Sequence, residues 1–313
     1  MLSGGKRRLP NRPGPWQRTR WVWRHPANRG RRWRAVLEGF GWMLYRHLFR
    51  SPRRRQGPGF LFYCYPDNAF CKRLILYNNL PDYHEMCFMR HYLQPGDGFL
   101  DIGANIGIYS LLAGSLVGER GRVDAFEPGP KAAERLRCNV RLNRFDDVVH
   151  LHRQVVSEEC GTVAFVQDLD VGNRIQTEQE SGNRALETEC VALDRVVEGR
   201  SYAMAKVDVE GAEPLVLKGA EGLLAAANPP VWLLEVNGKL HDYGFTEEQL
   251  DSWLEAHGYG LAFYDSDRRR LEFANRLWER LSFEPGAGNL LAIHHASRSL
   301  VMERVSGVIT SRS

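Results

Sequence analysis

The sequence predicts an α/β protein built on a mostly parallel sheet with helices on both faces. Three observations carry that expectation. From Phe60 onward, short apolar runs alternate with helical patterns, the order of elements a parallel sheet requires. The stretch FLDIGANIGIYS, Phe99 to Ser110, turns from a strand through two glycines directly into an apolar helix. The stretch GRVDAFEPGP gives a second strand and ends it on an acid, Glu127, 24 residues after Gly103.

Each element has its own signature. The turn signal PGDG opens a strand over 98–102, and the helix over 105–117 is apolar nearly all round, so it should be buried. A strand at 121–126, a helix at 130–143 and a strand at 148–153 complete the first half. Upstream, FLFYCYPDNAFCKRLILYNN gives one or two preliminary strands, and DYHEMCFMRHYL a helix that buries Met86, Phe88, Met89 and Leu93. Downstream, GTVAFV and ALETECVALDRVV read as antiparallel strands flanking a long polar loop, 167–185, that fits a substrate lid. The sheet resumes with YAMAKVDVEG, and the following helix starts near Pro214, a residue suited to a first helical turn. PPVWLLEVN is the next buried strand, and the helix after it opens with a Thr246–Gln249 capping box and closes at Gly258. YGLAFYD and NLLAIHH read as closing strands, the last antiparallel to the rest.

A strand that turns through Gly103 and Gly107 into a helix leaves backbone N–H groups uncapped beside the strand end, a site for a small polar ligand. A dinucleotide fingerprint needs glycines at relative positions 0, 2 and 5. Counted from Gly103, the later two positions hold Asn105 and Ile108, so the dinucleotide reading fails and a dehydrogenase with it. In a parallel βαβ unit Glu127 lies beside that turn, where a carboxylate accepts both hydroxyls of a ribose. This points to an adenosine-type ligand without identifying it.

Charge divides the chain. Residues 1–55 hold 16 Lys plus Arg against one acid, Glu38, a surplus of +15, while residues 56–313 hold 26 basic against 37 acidic residues, or −11. The tail should be largely disordered over 1–34, with an amphipathic helix over 35–50 carrying Val36, Phe40, Met43, Leu44 and Leu48 on one side. Such a basic helix suits peripheral contact with an anionic membrane. Its tryptophans form no recognisable reader of bases, so sequence-specific nucleic-acid binding is not expected. SPRRRQGPG, 51–59, reads as a linker. Six cysteines without a CxxC pair indicate reduced packing residues in a cytoplasmic protein. No apolar run reaches the roughly 20 residues of a membrane span. The domains expected are thus a basic extension (1–55), lead-in strands and helix (56–97), a main domain (98–298) and a tail (299–313).

Asp101, Gly103, Asn105 and Gly107 look like the first motif of class I S-adenosylmethionine-dependent methyltransferases. The blocks YHEMCFMRHYLQPGDGFLDIGANIGIYS, GRVDAFEPGP, LETECVALDRVV, AKVDVEGAEPLVLKGAEGLL, VWLLEVN and GNLLAIHH narrow this further. From about Tyr83 to His295 the chain resembles the FkbM-type methyltransferases; the tail lies outside the resemblance. It implies a Rossmann-like, seven-stranded sheet of order 3-2-1-4-5-7-6 and methylation of a hydroxyl on a sugar, polyketide or related small molecule. S-adenosylmethionine would then meet Asp101, Gly103, Ala104, Asn105, Gly107, Glu127, Pro128, Val156, Ser157 and Asp208.

A sulfonium is already an excellent leaving group, so the protein must chiefly align the acceptor and help remove its proton. Strand-end acids are candidates for the base: Asp208 and Glu210 after one strand, Glu235 after the next. In an extended strand Lys206, Asp208 and Glu210 would share one face. Asn237 and His241 are candidates for substrate contact. The three acids offer oxygen ligands suited to Mg²⁺ or Ca²⁺, but no metal is expected. Two other readings stay open: an N-methyltransferase, and a non-catalytic S-adenosylmethionine-binding module tethered by its basic tail.

Overall fold

The computed structural model describes residues 15–167, 173–177, 185–236, 238–274 and 289–307. Helices α1 (Pro15–Arg24) and α2 (Arg32–Leu48) flank a 3₁₀ turn at Pro26–Asn28. Part of the stretch expected to be disordered is therefore helical. The reason is docking: the Asn28 amide, fully buried, donates to the carbonyls of Val22 at 2.8 Å and Leu76 at 2.7 Å. Tertiary bonds of this kind leave no periodic trace in a sequence.

The expected linker is likewise structured. Strands β1 (Arg53–Gln56) and β2 (Leu61–Cys64) form an antiparallel hairpin. Helices α3 (Ala69–Leu76) and α4 (Tyr83–Tyr92) follow, so the second half of the lead-in is helix rather than strand. Asn68 decides this by capping α3, its side chain accepting the Cys71 N–H at 3.1 Å.

The main body alternates as expected: β3 (Gly98–Ile102), α5 (Ile108–Val117), β4 (Arg122–Phe126), α6 (Pro130–Asn143) and β5 (Val149–His152). A small second sheet comes next, built from β6 (Val155–Val156), β7 (Gly161–Val166), β8 (Arg174–Ile175) and β9 (Ala185–Val191). Short helices α7 (Leu193–Val196), α8 (Glu213–Lys218) and α9 (Glu221–Ala225) bracket β10 (Met204–Val207). Then come β11 (Val231–Glu235), α10 (Glu247–Ala256), β12 (Tyr259–Asp265), β13 (Arg270–Ala274), β14 (Asn289–His294) and α11 (Arg298–Ser306). Thr246 and Gln249 form the expected capping box.

Among the described residues the main sheet has eight strands in the order β13-β12-β14-β11-β10-β3-β4-β5, one more than the seven expected. The strands from β11 to β5 are parallel, and β14, β12 and β13 join by antiparallel pairing. The added edge strand, β13, was hidden in RRRLEFA because only Leu271 of its five residues is buried. One apolar core lies under α4, α5, α6 and α11, the other under α8, α9 and α10. The parallel arrangement brings the carboxyl ends of β3, β4, β10 and β11 to a single edge, where open α/β sheets bind ligands.

Two side-chain devices lock this edge and its opposite face. Asn139 of α6, fully buried, donates to the Ile106 carbonyl and accepts the Tyr63 N–H, both at 2.8 Å. It thereby ties the turn before α5 to β2. Asp124, also fully buried, accepts from Arg122 at 2.6 Å, Tyr202 at 2.7 Å and His152 at 2.8 Å. Burial alone would raise its carboxyl, but these partners together hold it well below the usual carboxylate range.

Candidate active site

The loop from β3 to α5 forms the floor of a cleft of ≈ 230 Å³. Gly103 (φ 80°) brings the backbone so near β10 that a Cβ would collide with the Asp208 carbonyl oxygen. The N–H groups of Gly103 and Ala104 both donate to the Phe126 carbonyl at 3.0 Å. Gly107 (φ 88°) caps α5 and packs against Leu136 rather than facing the cleft.

Asp101 does not line the cleft either. Its carboxylate is fully buried, accepts the Ser110 hydroxyl at 2.5 Å and lies beside Lys206 in the neighbouring strand. Burial raises its pKa, with the Lys206 charge opposing. Asp101 therefore braces the start of α5 from beneath.

Glu127, at the end of β4, does line the cleft. One carboxylate oxygen accepts the Asn105 N–H and the other the Gly129 N–H, each at 2.8 Å. Burial pushes it up to about 7 despite these two bonds. A carboxylate has about four acceptor positions, so two remain for a ligand. Asn105 itself has φ 51°, and its side-chain oxygen is buried without a hydrogen-bond partner among the described residues.

Across the floor, carboxylate oxygens of Asp208, Glu210 and Glu235 lie within 4.8 Å of one another. The buried Lys206 ammonium donates to Asp208 at 2.8 Å and sits 4.8 Å from the centre of the Tyr109 ring. Glu210 pairs with Lys239. Its φ of 59° takes it out of the strand, so it converges on Asp208 through a left-handed turn and not by strand alternation as expected. Glu235 is raised by burial and by the negative charge of Asp208, with which it shares a hydrogen bond. Asp208 is lowered: burial opposes its ionisation, but Lys206, the Glu235 bond and Arg73 outweigh it. Burial and mutual repulsion thus drive the two carboxyl groups apart, Glu235 toward its protonated form and Asp208 toward its ionised form. Lys206 and Lys239 offset the charges of Asp208 and Glu210, with which they pair.

The walls divide by chemistry. Phe126, Val155, Val156, Phe165 and Ile175 make one side apolar. The other side, from α3 to α5, was missed in the sequence. There Arg73 donates to Asp82 at 2.7 Å and the Tyr109 hydroxyl to the same carboxylate at 3.1 Å. No spacing rule links a helix read as strand to a motif further along the chain. Ala104, Pro128, Val156, Asp208, Glu210 and Glu235 line the cleft with Gly103, Asn105 and Glu127.

Other expected contacts do not. Ser157 sits behind the wall, its N–H donating to the Val191 carbonyl at 3.0 Å. His241 is mostly exposed and lies 3.2 Å from Glu247, drawn outward by the next helix. Asn237 falls outside the described residues, as do 168–172 and 178–184 of the expected lid. The described part of that loop does reach the site through Asn173, Arg174 and Ile175.

Fold and cleft define a class I methyltransferase arrangement, and comparison with known proteins agrees. The profile of the methyltransferase FkbM domain matches residues 101–261. The chain is 28% identical over 211 residues to 31-O-demethyl-FK506 methyltransferase FkbM of Streptomyces tacrolimicus, covering 56% of this chain and 78% of that protein. It is 36% identical over 66 residues to ribosomal protein L11 methyltransferase of Bacillus cereus, 21% of this chain and 20% of that one. The crystal structure of methyltransferase FkbM from Methylobacillus flagellatus KT superposes with a TM-score of 0.42 at 15% identity, over 72% of this chain and 54% of that chain. This chain therefore spans about half the length of that structure. The chain belongs to the FkbM family of S-adenosylmethionine-dependent methyltransferases. Among the described residues no helix is long and apolar enough to cross a membrane.

Proposed function

We propose that this chain methylates a hydroxyl group of a small molecule, of the sugar or polyketide type, with Asp208 receiving the hydroxyl proton. The observation that carries this reading is the cluster of Asp208, Glu210 and Glu235 at the edge that also holds Glu127 and the Gly103 turn. A neutral amine needs little help to lose a proton after attack, whereas a hydroxyl profits from a carboxylate beside it. The Streptomyces relative, 31-O-demethyl-FK506 methyltransferase, carries a name that places its methyl on oxygen.

The donor set fits S-adenosylmethionine. Glu127 offers two unused acceptor positions to a ribose diol, and the buried Asn105 side-chain oxygen awaits a donor such as the ligand's ammonium. The apolar wall of Phe126, Val155 and Val156 suits an adenine ring. When bound, the cofactor supplies an electrophilic methyl. The protein's share is to hold the acceptor in line with it, a matter of position. Ionised Asp208, one third of its side chain open to the cleft, accepts a hydrogen bond from the acceptor hydroxyl. Glu235, pushed toward its protonated form, shares a hydrogen bond with Asp208 and so orients it.

The test is calorimetric titration of the chain with S-adenosylmethionine, with Glu127→Ala as control, followed by a screen of hydroxyl acceptors with Asp208→Asn alongside. Binding lost in the Glu127 variant, with turnover lost in the Asp208 variant, supports the reading. Turnover of a hydroxyl acceptor retained by Asp208→Asn removes Asp208 as the group that receives the proton. Cofactor binding without turnover of any acceptor leaves a binding module.

A further inference from the structure

Helix α2 faces the wrong way for a helix of a soluble body. Ala35 and Trp42 are buried on its inner side, where Gly39 is packed so closely on Leu76 that a Cβ would collide. Trp33, Leu37, Phe40, Leu44 and Leu48 recur at helical spacing on the outer side, and each is 53% to 71% exposed. They form one stripe ~22 Å long at 1.5 Å per residue, larger than the scattered apolar residues of an ordinary surface.

Charge states what covers it. Glu38, the one acid in residues 1–55, is consumed by Arg31, Arg34 and Arg55 at 2.8, 3.0 and 3.4 Å. Arg20, Arg24, Arg46, Arg50 and Arg54 pair with no acid among the described residues. An apolar stripe on a strongly basic extension, whose guanidinium groups largely lack an acid partner among the described residues, matches a bilayer surface of anionic lipid, with acyl chains for the stripe and headgroups for the arginines. A nucleic acid would use the arginines and leave the stripe in water. A second copy would set two strongly basic faces against each other.

We infer that α2 lies in the plane of an anionic membrane and docks the enzyme there. At 17 residues the helix rests along the surface and does not cross it. The remainder of the chain, with net charge −11 over residues 56–313, is repelled from the same surface, which leaves the basic face as the side that docks. α2 rests on α3, and α3 carries Phe70 and Arg73 into the cleft wall, so α3 stands between the docked helix and the polar side of the active site.

The experiment is co-sedimentation of the full chain with vesicles of phosphatidylcholine alone and of phosphatidylcholine with phosphatidylglycerol. Three proteins are compared: wild type, Phe40→Ser/Leu44→Ser, and Arg46→Gln/Arg50→Gln/Arg54→Gln. All changed positions are exposed, and circular dichroism with S-adenosylmethionine titration verifies the fold of each. The inference expects binding to the anionic vesicles only, weakened about a hundredfold by the arginine changes and also lost in the Phe40/Leu44 variant. No binding by the folded wild type overturns it. So does binding that the Phe40/Leu44 changes leave intact, which would be bare polyanion attraction, or a dimer in ultracentrifugation that those changes dissociate.

Discussion

Glu127 accepts the Asn105 N–H at 2.8 Å, so the acid that ends β4 is built into the loop that ends β3. One carboxylate both shapes the floor of the cleft and lines it. Its acidity, pushed up to about 7 by burial, makes ligand binding sensitive to pH. Ribose hydroxyls donate to the ionised form. Affinity for S-adenosylmethionine should therefore weaken as pH falls through about 7 and level off above it. Glu127→Gln should bind weakly with this dependence gone, as calorimetry at several pH values would reveal. A wild-type affinity indifferent to pH would remove Glu127 from the ribose.

The Asp208–Glu235 pair makes a kinetic prediction. Asp208→Asn should lower kcat by about 10²- to 10⁴-fold. Glu235→Gln keeps a donor toward Asp208 and should cost less. Since Glu235 holds its proton well into the alkaline range, wild-type kcat should be level around neutrality and change only at high pH. The Glu235→Gln profile should lack that alkaline limb. Equal losses in the two variants would contradict the division of roles.

Gly103→Ala tests the floor itself. The new Cβ would strike the Asp208 carbonyl oxygen in a backbone conformation, φ 80°, that alanine resists. Strain and overpacking together should cost about 2–4 kcal/mol, read as a lower urea midpoint. An unchanged midpoint would mean that β3 and β10 do not approach as closely as described.

Asp124, which does not line the cleft, should govern acid stability. Its folded-state pKa is depressed below the ordinary value of 3.8. The stabilisation it gives is thus present above about pH 4 and lost as pH falls through the lower, folded-state value. Asp124→Asn should lower stability at neutral pH by about 3 kcal/mol and flatten the acid limb of the stability curve. Denaturant melts from pH 7 down to pH 3 would measure both.

The strand–turn–helix units carried their own evidence in the chain. Buried strands read as apolar runs, and Gly103 and Gly107 marked turns that need positive φ. Gly103, Glu127 and Asp208 were therefore legible, because each sits at the end of a regular element whose direction the pattern sets. Asp101 was placed by the same pattern yet faces away from the cleft, since strand alternation names a side and not what covers it.

What the sequence determined by itself was the class of fold, the edge of the sheet that carries the cleft and the family, because these depend on local periodicity and on short motifs. Tertiary structure alone decided the rest. Glu210 joins Asp208 and Glu235 through a left-handed turn. Arg73 reaches the cleft from α3 and Asp82 from the turn before α4, and His241 is drawn outward to Glu247. The apolar stripe of α2 faces water because Ala35, Gly39 and Trp42 are the residues that fit against α3. Such outcomes rest on contacts between segments remote in the chain, whose energies no window of neighbouring residues contains.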